Sequence, residues 1–221
     1  MFGSAFSSRK TVRKLEELSK MNIEHVRRLT NNIHGWLSDS EGELLYKLAT
    51  SIPKGHAIVE IGSWKGKSTV WLAKGAQAGQ RNEVYAVDLH CGSSDHAREG
   101  VEDTCAAFIA NLSKAGVRTT VFPLITTSEK AAHHWRGGIG LLWVDGSHRY
   151  EDVKRDLLLW KQYLANGARV AIHDSDDQSG PALVVEEWLM GTSEFTVIGR
   201  VDTITVASYR VTGNTPEEVP V

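Results

Sequence analysis

The segment Glu60-Ile61-Gly62-Ser63-Trp64-Lys65-Gly66-Lys67-Ser68-Thr69 puts an acid, two glycines and three hydroxyls at the end of a short apolar run. Gly66-Lys67-Ser68 imitates the end of a phosphate-binding loop. Such a loop needs its first glycine five positions before the second, and residue 61 is Ile, so the ring of N–H groups that cradles phosphate is one residue short. The dinucleotide pattern GxGxxG fails as well, because the Trp64 indole stands where a second glycine would let a pyrophosphate reach the backbone. What remains suits a ligand carrying both signs of charge. Glu60 repels phosphate and tolerates a cation, while helix N–H groups and Ser68 can hold a carboxylate. S-adenosylmethionine (SAM) combines a carboxylate with a sulfonium in one small molecule.

Two further clusters follow apolar runs: Asp145-Gly146-Ser147-His148-Arg149-Tyr150 and His173-Asp174-Ser175-Asp176-Asp177. The ends of adjacent parallel strands lie about 4.8 Å apart, so both clusters can share one cleft. Displacement at a sulfonium needs a nucleophile, a taker for its proton, and orientation. An unperturbed imidazole titrates near ~6.5, so His148 can accept a proton around neutrality. Every one of these residues also has an ordinary reading. Gly62 and Gly66 could serve helix–strand packing, Trp64 the core, Asp88 a helix cap, and His148 an ion pair with Glu151 or Asp152. Asp176 and Asp177 could cap a helix starting near Pro181, His133 and His134 could be helix-end cations, and His90 could line a pocket or face water. Their order along successive strand–helix units favours the functional reading.

The elements that must position these residues are legible as patterns. Apolar residues at three- and four-residue spacing over 9–33 predict amphipathic helices, and another helix is expected at about 40–51 behind the cap candidates Ser38, Asp39 and Ser40. From residue 56, short unalternating apolar runs at 57–61, 83–89, 119–124, 139–145 and 168–174 are separated by helix-like stretches at 67–78, 98–115, 128–135 and 150–164. That succession predicts βαβ units and a parallel sheet covered on both faces. The runs 194–200 and 203–210 are separated by Val201 and Asp202 alone, short enough for a hairpin. The expectation is an α/β, Rossmann-like sheet of seven strands, mostly parallel, with a C-terminal antiparallel hairpin. Residues 1–51 are read as a helical cap or lid, 52–211 as the binding domain and 212–221 as a tail. Trp36-Leu37-Ser38 is expected nearest the substrate, and 89–98 as a mobile rim.

EIGSWKGKS resembles motif I of class I SAM-dependent methyltransferases, in the form with an aromatic between the glycines that catechol-type small-molecule O-methyltransferases carry. The resemblance implies that Glu60, Gly62, Ser63, Trp64, Gly66 and Ser68 surround the cofactor and that Asp88, ending VYAVD, accepts hydrogen bonds from the ribose hydroxyls. It also implies that Ser128, in Thr127-Ser128-Glu129, meets the adenine edge and that Asp145 belongs both to the cofactor site and, with His148 and His173, to the catalytic set. Where catechol-type enzymes place a lysine base, this chain has His148. Related families bind a divalent cation through the acid ending the fourth strand and an acidic pair ending the fifth, which implies a site of Asp145 and Asp174 with His173 or Asp176 as third ligand. Histidine suits Mn2+ or another transition ion better than Mg2+, which prefers oxygen. Without a metal, His148 and His173 would supply acid–base chemistry. VDGSHRYEDVKRDL followed by His173-Asp174 is similar to methyltransferases of macrolide-sugar and polysaccharide clusters, which implies a hydroxyl of a sugar or other polyhydroxylated small molecule as acceptor.

The chain has 221 residues, 41% hydrophobic and 24% charged, with 25 Lys+Arg against 27 Asp+Glu. This is the profile of one globular domain without a global basic field, so nucleic acid is not the expected partner. No run approaches the ~18 apolar residues of a membrane helix. Two cysteines, Cys91 and Cys105, make no disulfide framework. A cytoplasmic homodimer or higher oligomer is expected. Two other functions fit the same pattern: a nicotinamide-dependent oxidoreductase and a non-catalytic adenosyl-binding protein.

Overall fold

A computed structural model describes residues 21–91 and 103–212. The expected N-terminal helix before residue 21, most of the 89–98 rim and the 213–221 tail lie outside the described residues. Helix α1 covers 21–30. It is followed by α2 (Asp39–Thr50), β1 (Ala57–Ile61), α3 (Lys67–Ala78), β2 (Val84–Val87), α4 (Cys105–Lys114) and β3 (Val121–Leu124). Then come α5 (Ser128–His134), β4 (Ile139–Val144), α6 (Tyr150–Lys161), β5 (Leu164–Ile172), α7 (Gly180–Val184), β6 (Phe195–Val201) and β7 (Ile204–Tyr209). The seven strands form one sheet in the order β3-β2-β1-β4-β5-β7-β6, with β7 antiparallel to both β5 and β6.

Because strand side chains alternate faces, each central strand feeds two cores. Ile58, Leu141, Trp143 and Ala171 join α1–α4 on one side. Val59, Ile61, Leu142, Val144, Val170 and Ile172 join α5, α6 and α7 on the other. Double burial explains the unalternating runs that made the strands legible. The chain leaves β1 toward β2 and leaves β4 toward β5, so a crevice opens between the carboxyl ends of β1 and β4.

Helices α2 and α3 cross closely because small residues meet there. A Cβ on Gly42 would lie 2.3 Å from the Trp71 indole, and one on Gly75 would lie 2.3 Å from the Tyr46 carbonyl oxygen. Ser38 is the N-cap of α2 and forms a capping box with Glu41.

Beyond shifts of one to three residues at element ends, several features differ from the sequence reading. β5 starts at Leu164 instead of 168, because α6 ends at Lys161 and Leu164 already pairs with Ile139, with Gly167 at φ 82 absorbing the register shift. The hairpin turn is Asp202-Thr203, one residue later than expected, with Asp202 at φ 47. α7 is capped by Ser179, whose side chain accepts from Ala182 N, so Asp176 and Asp177 are not its caps; Asp177 instead accepts from Ser179 N. α7 runs on as a π-helix over Val185–Met190 that periodicity does not reveal.

Candidate active site

The turn after β1 is shaped by three left-handed residues, Gly62 (φ 83), Trp64 (φ 46) and Gly66 (φ 87). Gly62 has a second reason to lack a side chain: a Cβ there would sit 2.2 Å from the Asp145 carbonyl oxygen, so the β1 and β4 ends touch. Asp88, at the end of β2, ties the turn down. Its Oδ2 accepts from Ser63 N (2.9 Å) and Trp64 N (2.8 Å), and its Oδ1 accepts from His90 N (2.7 Å). These bonds leave Asp88 spare acceptor capacity on Oδ1, since an ionised carboxylate offers about four lone-pair sites. From α4, Asn111 donates to Lys65 O at 2.9 Å. The expected contributors Glu60, Gly62, Ser63, Trp64, Gly66 and Asp88 therefore meet at one place.

Two of the expected cofactor contacts are turned elsewhere. Ser68 is buried and donates its hydroxyl to Glu60 at 2.5 Å, as does Thr69, so Ser68 staples α3 to β1 rather than presenting itself to a ligand carboxylate. Ser128 accepts from Trp160 Nε1 at 2.9 Å, inside the α5–α6 contact, while Thr127 caps α5. Ser63 behaves differently: its hydroxyl is buried at the turn with no hydrogen-bond partner among the described residues. His90 is buried rather than facing water, with Nδ1 2.9 Å from Thr104 Oγ1.

Glu60 is fully enclosed, and burial pushes its carboxyl up to about 8 against the pull of the Ser68 and Thr69 hydroxyls, with the charges of Asp145 and Asp88 adding to the rise. Burial at the β1 end thus favours the neutral form of this acid.

Across the crevice, β4 and β5 bring the second cluster together. His173 Nδ1 lies 2.8 Å from Asp145 Oδ1 and 3.3 Å from Asp174 Oδ2, and His148 Nε2 lies 2.7 Å from the same Asp174 oxygen. Asp174 adopts φ 49, an uncommon conformation that turns its carboxylate between the two imidazoles. Burial alone would lower the His173 pKa, yet Asp145, Asp174 and Glu41 hold it up to about 12, favouring the charged imidazolium. His173 and His148 hold Asp174 below the usual carboxylate range, whereas burial raises Asp145.

One member of this cluster was not anticipated. Glu41, at N3 of α2, is 2% exposed, and its Oε2 lies 3.5 Å from His173 Nε2. Burial would raise it, but His173, Thr203 and the Ser38 N–H hold it down to about 2. The capping-box signature Ser38-x-x-Glu41 was visible, but nothing in it says that the acid also faces a histidine from β5. Close by, Trp36 lies with its ring centroid 5.9 Å from that of Trp64, and Lys67 donates to Gly35 O at 3.2 Å, which seats the 31–38 segment over the glycine turn.

Among the described residues, one oxygen each of Asp145 and Asp174 and a nitrogen of His173 lie within 4.8 Å of one another, the spacing of a metal-ligating set. Asp176 is exposed and outside that set, so it is not the third member. Two carboxylates with one imidazole suit a divalent transition ion once Nδ1 gives up its proton.

Several solved structures share the architecture. Rv0187 from MTB, solved with its cofactor, superposes with a TM-score of 0.62 at 20% identity over 86% of this chain and 89% of that one. The O-methyltransferase TomG from Streptomyces achromogenes, solved with SAM, gives 0.59 at 19% over 87% and 89%. An O-methyltransferase from Bacillus cereus, solved with SAH, gives 0.59 at 14% over 86% and 91%. At such identities the likeness is one of fold. The sequence itself goes further: residues 59–175, from the middle of β1 to the loop after β5, match the family model described as "Methyltransferase domain", so the chain belongs to that methyltransferase family.

Proposed function

We propose that this methyltransferase uses SAM and transfers the methyl group to a hydroxyl of a small molecule, a sugar or another polyhydroxylated compound. The observation that carries the reading is the contact between the two halves of the crevice. Gly62 packs on the backbone of Asp145, so a ligand held by the glycine turn lies beside the Asp145–His173–Asp174–His148 cluster. Solved neighbours named as O-methyltransferases and containing SAM or SAH support the choice of cofactor.

SAM would supply an activated methyl on a sulfonium. The turn's own residues fit it: the buried Ser63 hydroxyl lacks a partner among the described residues, and Asp88 retains an acceptor position on Oδ1 for a ribose hydroxyl. His148, held by Asp174, takes the proton of the acceptor hydroxyl. Asp145 and Asp174, with His173, would hold a divalent ion, which would polarise that hydroxyl. Fold alone does not select the acceptor.

The test is calorimetric titration of the full chain with S-adenosylhomocysteine. Micromolar-range binding is expected, weakened about 10- to 100-fold in Asp88→Ala, which strands the Ser63 and Trp64 amides. No binding to the parent chain would overturn the cofactor assignment. Over a panel of hydroxylated acceptors, turnover should stop in chelator and return with Mg2+ or Mn2+; full turnover in chelator would remove the metal.

A further inference from the structure

Glu41 reaches the cluster from α2, outside the stretch that matches the family model. Its surroundings define it as an acceptor on every side. Oε1 receives Thr203 N at 3.0 Å and Thr203 Oγ1 at 2.6 Å, and Oε2 receives Ser38 N at 2.8 Å. The remaining direction from Oε2 leads to His173 Nε2, at 3.5 Å. That distance is an ion-pair contact rather than a hydrogen bond, and Nε2 is buried with no hydrogen-bond partner among the described residues.

We propose that Glu41 is a positioning residue for His173: its buried carboxylate, 3.5 Å from Nε2, holds the ring so that Nδ1 is turned toward Asp145 and Asp174. A ring rotated by half a turn would point Cδ2 at Asp145 and forfeit the 2.8 Å contact. A ring with Nε2 bare would set a lone pair against a carboxylate. With Nε2 occupied, the lone pair of an unprotonated Nδ1 would face two carboxylates, so that side of the ring takes a proton or a metal ion. The orientation of a ligating histidine is commonly set in this way by a carboxylate on its far nitrogen. Glu41 thereby joins the N-terminal helices and the β6–β7 turn to the transfer site. Its importance for catalysis rests on the function proposed above, whereas its effect on the His173 ring does not.

The experiment is long-range 1H–15N correlation spectroscopy of the full chain, 15N-labelled at histidine and kept in chelator, with His173→Gln used for assignment. In the parent chain Nε2 of His173 is expected to carry a proton. In Glu41→Gln an amide N–H would confront donors on one side or the other, and the His173 ring signals should shift as the ring loses its fixed orientation. Thr203→Val removes a donor to Glu41 without touching His173 and should leave those signals alone. A bare Nε2 in the parent chain overturns the proposal, and so do unchanged His173 signals in a folded Glu41→Gln. Should Glu41→Gln fail to fold, the parent spectrum still decides. Absence of S-adenosylhomocysteine binding alongside the expected spectra would refute the proposed function and leave the Glu41 assignment standing.

Discussion

At the scale of single residues, this site is built from carboxylates whose surroundings assign them different work. Asp88 ties down backbone amides and keeps one acceptor position open, Asp174 is kept ionised by two histidines, and Glu60 is sealed behind two hydroxyls. Glu60 has a measurable consequence for stability. Its carboxyl rises from 4.5 to about 8 on folding, so between those values the folded state binds more protons than the unfolded one. Its contribution is fully present below pH 4.5, falls as pH rises toward 8, and changes no further above that. At about 1.4 kcal/mol per unit, the loss is up to about 5 kcal/mol. Asp145 and Asp88 are the charges facing it, and both oppose its ionisation. Glu60→Gln should therefore gain on the parent chain as pH goes from about 5 to 8 in thermal melts; parallel curves for the two proteins would contradict this account.

At the scale of elements, how closely α2 lies on α3 sets where Glu41 meets β5. The crossing is set by glycines whose missing side chains are filled by the opposite helix. Gly75 offers a clean test because two effects oppose each other there. In an exposed helix Gly→Ala gains about 1 kcal/mol. Here the new methyl would sit 2.3 Å from the Tyr46 carbonyl oxygen and 2.9 Å from Ala49 Cβ, and overpacking of this kind costs about 1–3 kcal/mol. A lower melting temperature is expected for Gly75→Ala; an increase would show that the helices can separate cheaply. Sequence periodicity located both helices well, since each has a continuous apolar stripe, but it carries no information about the distance between them.

At the scale of the whole molecule, α1 and α2 are not separable decoration on the sheet. Leu45, Tyr46, Ala49 and Ile52 belong to the same apolar cluster as Trp71, Leu141 and Trp143. Ser38 also bonds Asp202 at 2.6 Å and Glu41 bonds Thr203, so the N-terminal helices are fastened to the hairpin that closes the far side of the sheet. A fragment of residues 52–212 would expose Trp71, which is fully buried in the chain. Its tryptophan emission should be red-shifted and its melt should lack cooperativity; a cooperative melt with blue emission would mean that the sheet sustains its own core.

The seven strands, their parallel majority, the terminal hairpin and the glycine turn were determined by the sequence itself. Burial on two faces leaves unbroken apolar runs, and a left-handed turn leaves glycines, and both are local records of the environment. Asp88, Asp145, His148, His173 and Asp174 were legible for the same reason, since each follows a strand whose end is easy to find. Which way those side chains point was decided only by the tertiary structure. Ser68 and Ser128 looked available and are turned inward to Glu60 and Trp160, while Glu41, unmarked in the sequence reading, faces His173. Hydrogen-bond partners 8 residues apart in one case and 32 in another are chosen by packing of whole elements, and 132 residues separate Glu41 from His173; no local pattern of residue types encodes that choice.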